Sequence, residues 1–214
     1  MDLQMIEEIQ KVVNKAEIVD LSYTLEPGMP VWASHARFGA IVYETYDEGD
    51  VSYHIDAPRH FFREGAAIDH VKVKAVMGRG VCIDASFLKP CEEYTLDMLK
   101  AFEAEYGEIQ EGDVILFSFG WEQKYAIGKK GEEFLKDWPG LSEQAAKYLA
   151  DKKVASDPFG SEKYPSHQVL LGNGIPILEN LTNLKKIPVF SYVIGLANKI
   201  KDGSGSPIRI IALT

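Results

Sequence analysis

The chain has 214 residues, a formal net charge of -9, 46% hydrophobic and 26% charged residues. That length suits one domain with a full hydrophobic core, and the acidic balance argues against a nucleic-acid or anionic-membrane partner, either of which favours a basic patch. Two cysteines cannot build a disulfide framework. No apolar run approaches the ~20 residues of a membrane span, and no basic stretch followed by an apolar core opens the chain as a secretory signal would. These features together predict a soluble, cytoplasmic protein.

Residues 1–16 place Met5, Ile6, Ile9, Val12 and Val13 at helical spacing among Glu, Gln and Lys. They predict an amphipathic N-terminal helix that docks on the body or on a neighbouring subunit. Residues 17–214 follow as a single domain. Its first strand is expected over Glu17–Ser22, with a turn at Glu26–Pro30 set by Pro and Gly chemistry. A strand-like pattern runs from Arg37 to Tyr46, and Asp47-Glu48-Gly49 turns into the segment 50–60. Gly80–Asp84 is a short buried strand, and Leu96–Tyr106 is a helix stopped by Gly107. Asp113–Phe119 is a strongly apolar strand, and Leu141–Leu149 is a helix with Ser142 as its N-cap. A short strand at Val154–Asp157 precedes a helical run, His167–Leu171, ended by Gly172 or Gly174. Strands at 175–179, 189–194 and 208–213 complete the chain. Strands interleaved with a few helices, without repeats or long linkers, predict an α/β fold around a mixed β-sheet.

The segment Asp50-Val51-Ser52-Tyr53-His54-Ile55-Asp56-Ala57-Pro58-Arg59-His60 carries the chemistry. In an extended conformation Asp50, Ser52, His54 and Asp56 share one face, and Val51, Tyr53 and Ile55 share the other. Two carboxylates and an imidazole on one face are costly to bury unless a cation neutralises them. Pro58 cannot donate to a ladder, so the strand ends there, and beyond it His60 can turn back as a base beside the metal-binding pattern. His167, beside a short helix, and Glu179, after a mostly apolar run, could complete the site from across the fold, because carboxylates are rarely buried unless paired or bound to a cation.

Blander readings fit several of these residues. A His-x-Asp pair also occurs as a surface hydrogen bond. Asp50 follows Asp47 and Glu48 and fits a solvated acidic turn as well as a ligand position, and Glu179 could brace the turn that follows it. His35 and His70 are expected to be ordinary surface or hydrogen-bonded histidines. Cys82, within an apolar run, is expected to be a buried thiol, and Cys82 and Cys91 lack the paired spacing of a zinc knuckle.

The stretch His54-Ile55-Asp56-Ala57-Pro58-Arg59-His60-Phe61 resembles the second half of the His-x-Gly-Thr-His-x-Asp-x-Pro-x-His signature of the cyclase-like metal hydrolases. That family includes bacterial kynurenine formamidase and isatin hydrolase. Val19-Asp20-Leu21-Ser22 with Pro30-Val31-Trp32 resembles its opening. Gly112-Asp113-Val114 leading to Gly120-Trp121 resembles its central strand, and Pro139-Gly140-Leu141-Ser142 the start of its long helix. His167 with Leu170-Leu171, then Glu179-Asn180-Leu181-Thr182-Asn183-Leu184, resembles its second metal-binding segment, and Gly205-Ser206-Pro207-Ile208-Arg209 its C-terminal run.

The resemblance implies a swivelling β/β/α cyclase-like fold and one or two divalent metal ions, zinc or manganese. His54 and Asp56 would be ligands, with Asp56 able to bridge two ions; His167 and Glu179 would hold the second ion, and His60 would be the catalytic acid/base. The chain departs from the signature at its front, where Asp50 stands in place of the first His and Ser52-Tyr53 in place of Gly-Thr. An aspartate can still ligate, and a set of Asp50, Asp56 and Glu179 with two imidazoles leans from zinc towards manganese or magnesium. The implied activity is metal-assisted hydrolysis of a small amide, formamide or lactam, with Trp32, Phe38 and Phe61 as walls for a flat substrate. Two other readings fit the same residues: a cyclase or ring-opening enzyme of the same fold acting on another carbonyl compound, and a metal-stabilised oligomeric protein without catalysis. The expected partners are a small-molecule substrate and further copies of the chain in a homodimer or homotetramer, with no nucleic acid and no membrane.

Overall fold

A computed structural model describes residues 3–24, 29, 54–157 and 165–214, the backbone alone for 155–157. In chain order the elements are α1 (Leu3–Lys15), β1 (Ile18–Asp20), β2 (His54–Asp56), β3 (Met77–Asp84), β4 (Glu93–Tyr94), α2 (Leu96–Tyr106) and β5 (Val114–Ser118). They continue with β6 (Gly140–Leu141), α3 (Glu143–Asp151), β7 (Ala155–Asp157), α4 (Pro165–Gly172), β8 (Ile177–Glu179), β9 (Phe190–Ala197), β10 (Gly205–Ser206) and β11 (Ile208–Leu213).

Among the described residues nine strands form one sheet in the order β1-β11-β9-β3-β5-β7-β8-β2-β10, and β4 pairs with β6 apart from it. The central run β3-β5-β7-β8 is parallel, while β1, β11 and β9 on one side and β2 and β10 on the other add antiparallel edges. The α/β class with a mixed sheet is therefore correct. Parallel neighbours need crossovers, and α2, α3 and α4 are those crossovers. All of β5 is buried, as expected of a strand covered on both faces.

Two apolar layers hold the sheet. Side chains of α2, α3 and α4 pack on Val81, Ile83, Ile115, Phe117 and Ile177. On the opposite face Cys82, Val114, Leu116, Ile55 and Leu178 pack with Val193, Ile208 and Ile210. The alternation Ile115/Leu116/Phe117 between layers is the period-two signature of a strand.

Local chemistry sets the helix ends. The Thr95 side chain accepts a hydrogen bond from the Met98 amide at the start of α2, and Ser142 accepts from Ala145 at the start of α3. Gly107 closes α2 with φ 103, a value that favours glycine. The last strand before the C-terminal hairpins is shorter than expected: β8 begins at Ile177, because Pro176 has no N–H for the ladder. The strand expected at Gly80–Asp84 extends back to Met77 through pairing with β9. The strand pattern at 37–46 and the turn at 47–49 lie outside the described residues.

The N-terminal helix forms over the expected residues, but it buries none of them against the described chain. Met5, Ile6, Ile9 and Val12 are 48%, 49%, 49% and 61% exposed, so docking on the body, one of its two expected outcomes, is absent among the described residues.

Phe117 lies at the centre of the helix-side layer, 5.3 Å from the Tyr94 ring and 5.8 Å from that of Phe119. Phe117→Ala should lower the unfolding free energy by about 3–5 kcal/mol through lost burial and a residual cavity. Urea unfolding of the two proteins, compared at equal slope, checks this.

Candidate metal centre

Ile55 anchors β2 in one apolar layer, which leaves its neighbours His54 and Asp56 on the other face of the strand. The antiparallel register with β8 sets His54 directly opposite Glu179 and Asp56 opposite Ile177. Directly opposed residues hold their Cβ atoms about 4.5–5.5 Å apart, so imidazole and carboxylate meet without any special loop. His167, in the first turn of α4, reaches the same point: its Nε2 lies 2.6 Å from Glu179 Oε1 and 3.8 Å from Asp56 Oδ2. His54 Nε2 is 3.1 Å from Asp56 Oδ1 and 3.6 Å from Glu179 Oε2. All four residues are buried, none more than 3% exposed.

The fifth group arrives by a turn. After Ala57, in extended conformation, Pro58 opens a 3-10 turn over Pro58–His60; its fixed φ suits the first position of a helical turn. That turn carries His60 Nδ1 to 3.6 Å from Asp56 Oδ1, with the side chain 23% exposed. His60 is thus the member of the group open to solvent. Phe61 flanks it, its ring 5.6 Å from that of His60 and 5.2 Å from that of His167.

Several fasteners hold the His60 turn, and sequence reasoning did not single them out. The Arg59 amide donates to Ala66 O at 3.1 Å, and its Nε donates to Gly65 O at 3.3 Å. Its Nη1 reaches Asp202 Oδ1 at 3.2 Å. The Ala57 amide donates to Ser204 O at 2.9 Å, tying the turn to the segment before β10. Gly65 closes the loop: a Cβ there would meet Pro58 C at 2.8 Å and Phe62 O at 2.9 Å, both main-chain atoms. Arg63-Glu64-Gly65 has the composition of a turn, but its contact with Pro58 is a tertiary fact. Asn180, buried directly after Glu179, has φ 58, a left-handed conformation that asparagine tolerates better than most residues.

The electrostatics are those of a charged cluster out of water. Burial by itself would drive Glu179 towards its neutral form. The hydrogen bond and charge of His167, with His54 and His60 nearby, outweigh it and hold the carboxyl down to about 2. Burial likewise disfavours the His167 imidazolium, yet Glu179 and Asp56 raise its pKa above the usual histidine value. Asp56 Oδ1 is fully buried and accepts no hydrogen bond; His54 Nε2 at 3.1 Å is not aligned for one. One ligand atom each from His54, Asp56 and Glu179 fall within 4.8 Å of one another. Two buried carboxylates, one with an unsatisfied oxygen, surrounded by imidazole nitrogens, are a donor set that fits a divalent cation.

Of the residues the sequence singles out, His54, Asp56, His60, His167 and Glu179 converge on one point, and Phe61 stands beside it. Asp50, Trp32, Phe38 and His35 lie outside the described residues. His70 is a surface residue, its side chain 68% exposed and its Nδ1 3.3 Å from Asp69 Oδ1. Cys82 is buried, as expected.

Comparison with known proteins places this geometry in a family. The sequence profile of the family described as "Putative cyclase" matches residues 19–159. Isatin hydrolase from Roseibium aggregatum is 30% identical over 75% of this chain and 70% of its own length. Kynurenine formamidase from Erythrobacter litoralis is 25% identical over 92% of this chain and 94% of its own. Among solved structures, isatin hydrolase A from Ralstonia solanacearum superposes with a TM-score of 0.83 at 23% identity, covering 100% of this chain and 98% of that one.

The Gly65 contact gives a prediction that separates positioning from stability. Gly65→Ala must open the loop between Pro58 and Phe62 and displace His60, while His54, Asp56, His167 and Glu179 stay on their own elements. Metal content by elemental analysis should match the parent protein, whereas the maximal rate on any hydrolysable substrate should fall at least tenfold.

Proposed function

The chain belongs to the cyclase family, and from that premise we propose that it hydrolyses a small aryl formamide or lactam with a divalent cation held by His54, Asp56, His167 and Glu179 and with His60 as acid/base. The protein is a hydrolase of carbon–nitrogen bonds other than peptide bonds, as its relatives named isatin hydrolase and kynurenine formamidase are. The observation that carries the reading is the unsatisfied, buried Asp56 Oδ1 at the meeting point of three histidines and Glu179. Zinc and manganese are the ions best suited to this mixture of imidazole and carboxylate, one or two per site, with Asp50 as a further ligand.

A cation bound there supplies Lewis acidity, making water more acidic and polarising a carbonyl. The chain's own groups do the rest. His60, with one edge towards Asp56 and another towards solvent, takes the proton of the attacking water and passes it to the departing nitrogen. The C–N bond breaks as the new C–O bond is kept, giving a carboxylate and an amine. Asp56 Oδ1, 3.6 Å from His60 Nδ1, positions the imidazole for those two transfers. Phe61 forms a flat wall beside His60 and His167, and Trp32 and Phe38 are proposed to extend it. That wall favours a planar aryl group.

The proposal includes self-association as a homodimer or homotetramer. The apolar side chains of α1, exposed among the described residues, support it, since a helix with that pattern in water gains from a covering surface. It also includes a cytoplasmic location. Cys82 and Cys91 form no disulfide, in keeping with a reducing compartment. No described helix is long and apolar enough to cross a membrane.

Purified protein should contain a divalent metal and hydrolyse members of a panel of formyl-anilides, lactams and cyclic imides, with activity lost to a chelator and restored by zinc or manganese. Absence of metal, together with no rescue by either ion, would overturn the reading. His60→Ala should retain the metal and lose roughly 10²–10⁴ of the maximal rate; an unchanged rate removes His60 from the mechanism. Asp50→Ala should lower metal occupancy, and full occupancy in that variant rules out its ligation.

A further inference from the structure

A cavity of about 650 Å³ opens at the carboxyl ends of β3 and β5 and shares no lining residue with the metal centre. Its volume is in the range of about 300–1,000 Å³ common to small-molecule sites. Asp84 and Ser118, opposed in the register of β3 and β5, line one side with Cys82. Phe87, Tyr94, Phe102 and Tyr106 supply aromatic surface, and Lys185 and Glu105 stand at the polar rim.

Three observations mark it as built to hold a ligand. Ser118 is 3% exposed, yet its Oγ has no hydrogen-bond partner; a buried hydroxyl left unsatisfied costs about 1–3 kcal/mol. Asp84 and Lys185 carry opposite charges and line the same cavity, and no ion pair of 4 Å or less joins either to a described residue.

 The third observation is that the Ser86 amide holds Asp84 Oδ1 at 2.9 Å, which fixes the carboxylate at the cavity edge.

We propose that this cavity binds a zwitterionic aromatic α-amino acid, with the ring against Phe87, Tyr94, Phe102 and Tyr106, the ammonium on Asp84 and the carboxylate on Lys185. An ammonium beside Asp84 also donates to the unsatisfied Ser118 hydroxyl. Aromatic rings gain from tilted or offset-stacked neighbours, and Phe102 and Tyr106 already stack at 4.9 Å with Tyr106 42% exposed. The site stands independently of the hydrolase reading, because none of its residues belongs to the metal centre.

The test uses the whole protein and calorimetric titration with L-tryptophan, tryptamine and indole-3-propionate. Tryptophan should saturate one site. Asp84→Asn should weaken tryptophan and tryptamine about tenfold, the loss expected for about 1.4 kcal/mol, and leave indole-3-propionate unchanged. Lys185→Gln should weaken tryptophan and indole-3-propionate and leave tryptamine unchanged. Ala101→Phe, at an exposed position of α2 that lines the cavity, should block all three ligands without lowering the melting temperature. Chelator-treated protein should bind tryptophan as before. No saturation by tryptophan below about 10 mM overturns the proposal. So does equal affinity in the Asp84 and Lys185 variants, or loss of binding on chelation, which would put the ligand in the metal centre.

Discussion

The constraint on which the rest depends is the burial of two carboxylates, Asp56 and Glu179, within reach of each other's imidazole partners. Each lies out of water at no more than 3% exposure. A lone buried carboxylate shifts towards its neutral form, yet Glu179 is held ionised by His167. The cluster therefore keeps negative charge where the surrounding apolar layers disfavour it. Such an arrangement needs positive charge at its centre, from protonated imidazoles or from a cation, and the unsatisfied Asp56 Oδ1 marks where the protein's own donors fall short.

The scaffold explains how that arrangement is held. His54 and Glu179 are opposed in an antiparallel ladder, and Ile55, between His54 and Asp56, lies with its register partner Leu178 in the opposite apolar layer. Moving the register by one residue would exchange core and site side chains, so the same packing that stabilises the sheet fixes the ligand geometry. His167 depends on a different element, α4, whose Leu170 and Leu171 are buried in the helix-side layer. His60 depends on a third, the turn closed by Arg59 and Gly65. Three independent anchors converge on one charge cluster.

Much of this was legible in the chain. The His54/Asp56 spacing on a strand, the break at Pro58 and the carboxylate at the end of an apolar run are local patterns, and each survives in the structure. So do the helix over Leu96–Tyr106 with its stop at Gly107 and the N-cap at Ser142, because helix ends are decided within a few residues. The sheet order was not legible: β2 is inserted beside β8, more than a hundred residues away, and no period or turn signal encodes that pairing. The pairing of Arg59 with Asp202 and the contact of Gly65 with Pro58 were hidden for the same reason. The N-terminal helix shows the converse case, a pattern read correctly whose covering surface is absent from the described chain.

The sheet topology also explains why chemistry gathers at one edge. In α/β sheets the carboxyl ends of parallel strands face a common side, where loops leave the sheet and polar groups can be displayed. Asp84 ends β3, Ser118 ends β5 and Glu179 ends β8. One strand, β7, separates Asp84 and Ser118 from Glu179, so the same edge presents two polar sites instead of one. Only at β8 does an antiparallel neighbour, β2, bring a second row of ligating side chains against a strand end. That insertion is what turns a single buried carboxylate into a metal-binding cluster, and its absence at β3 and β5 leaves an acid and a hydroxyl beside an aromatic cavity.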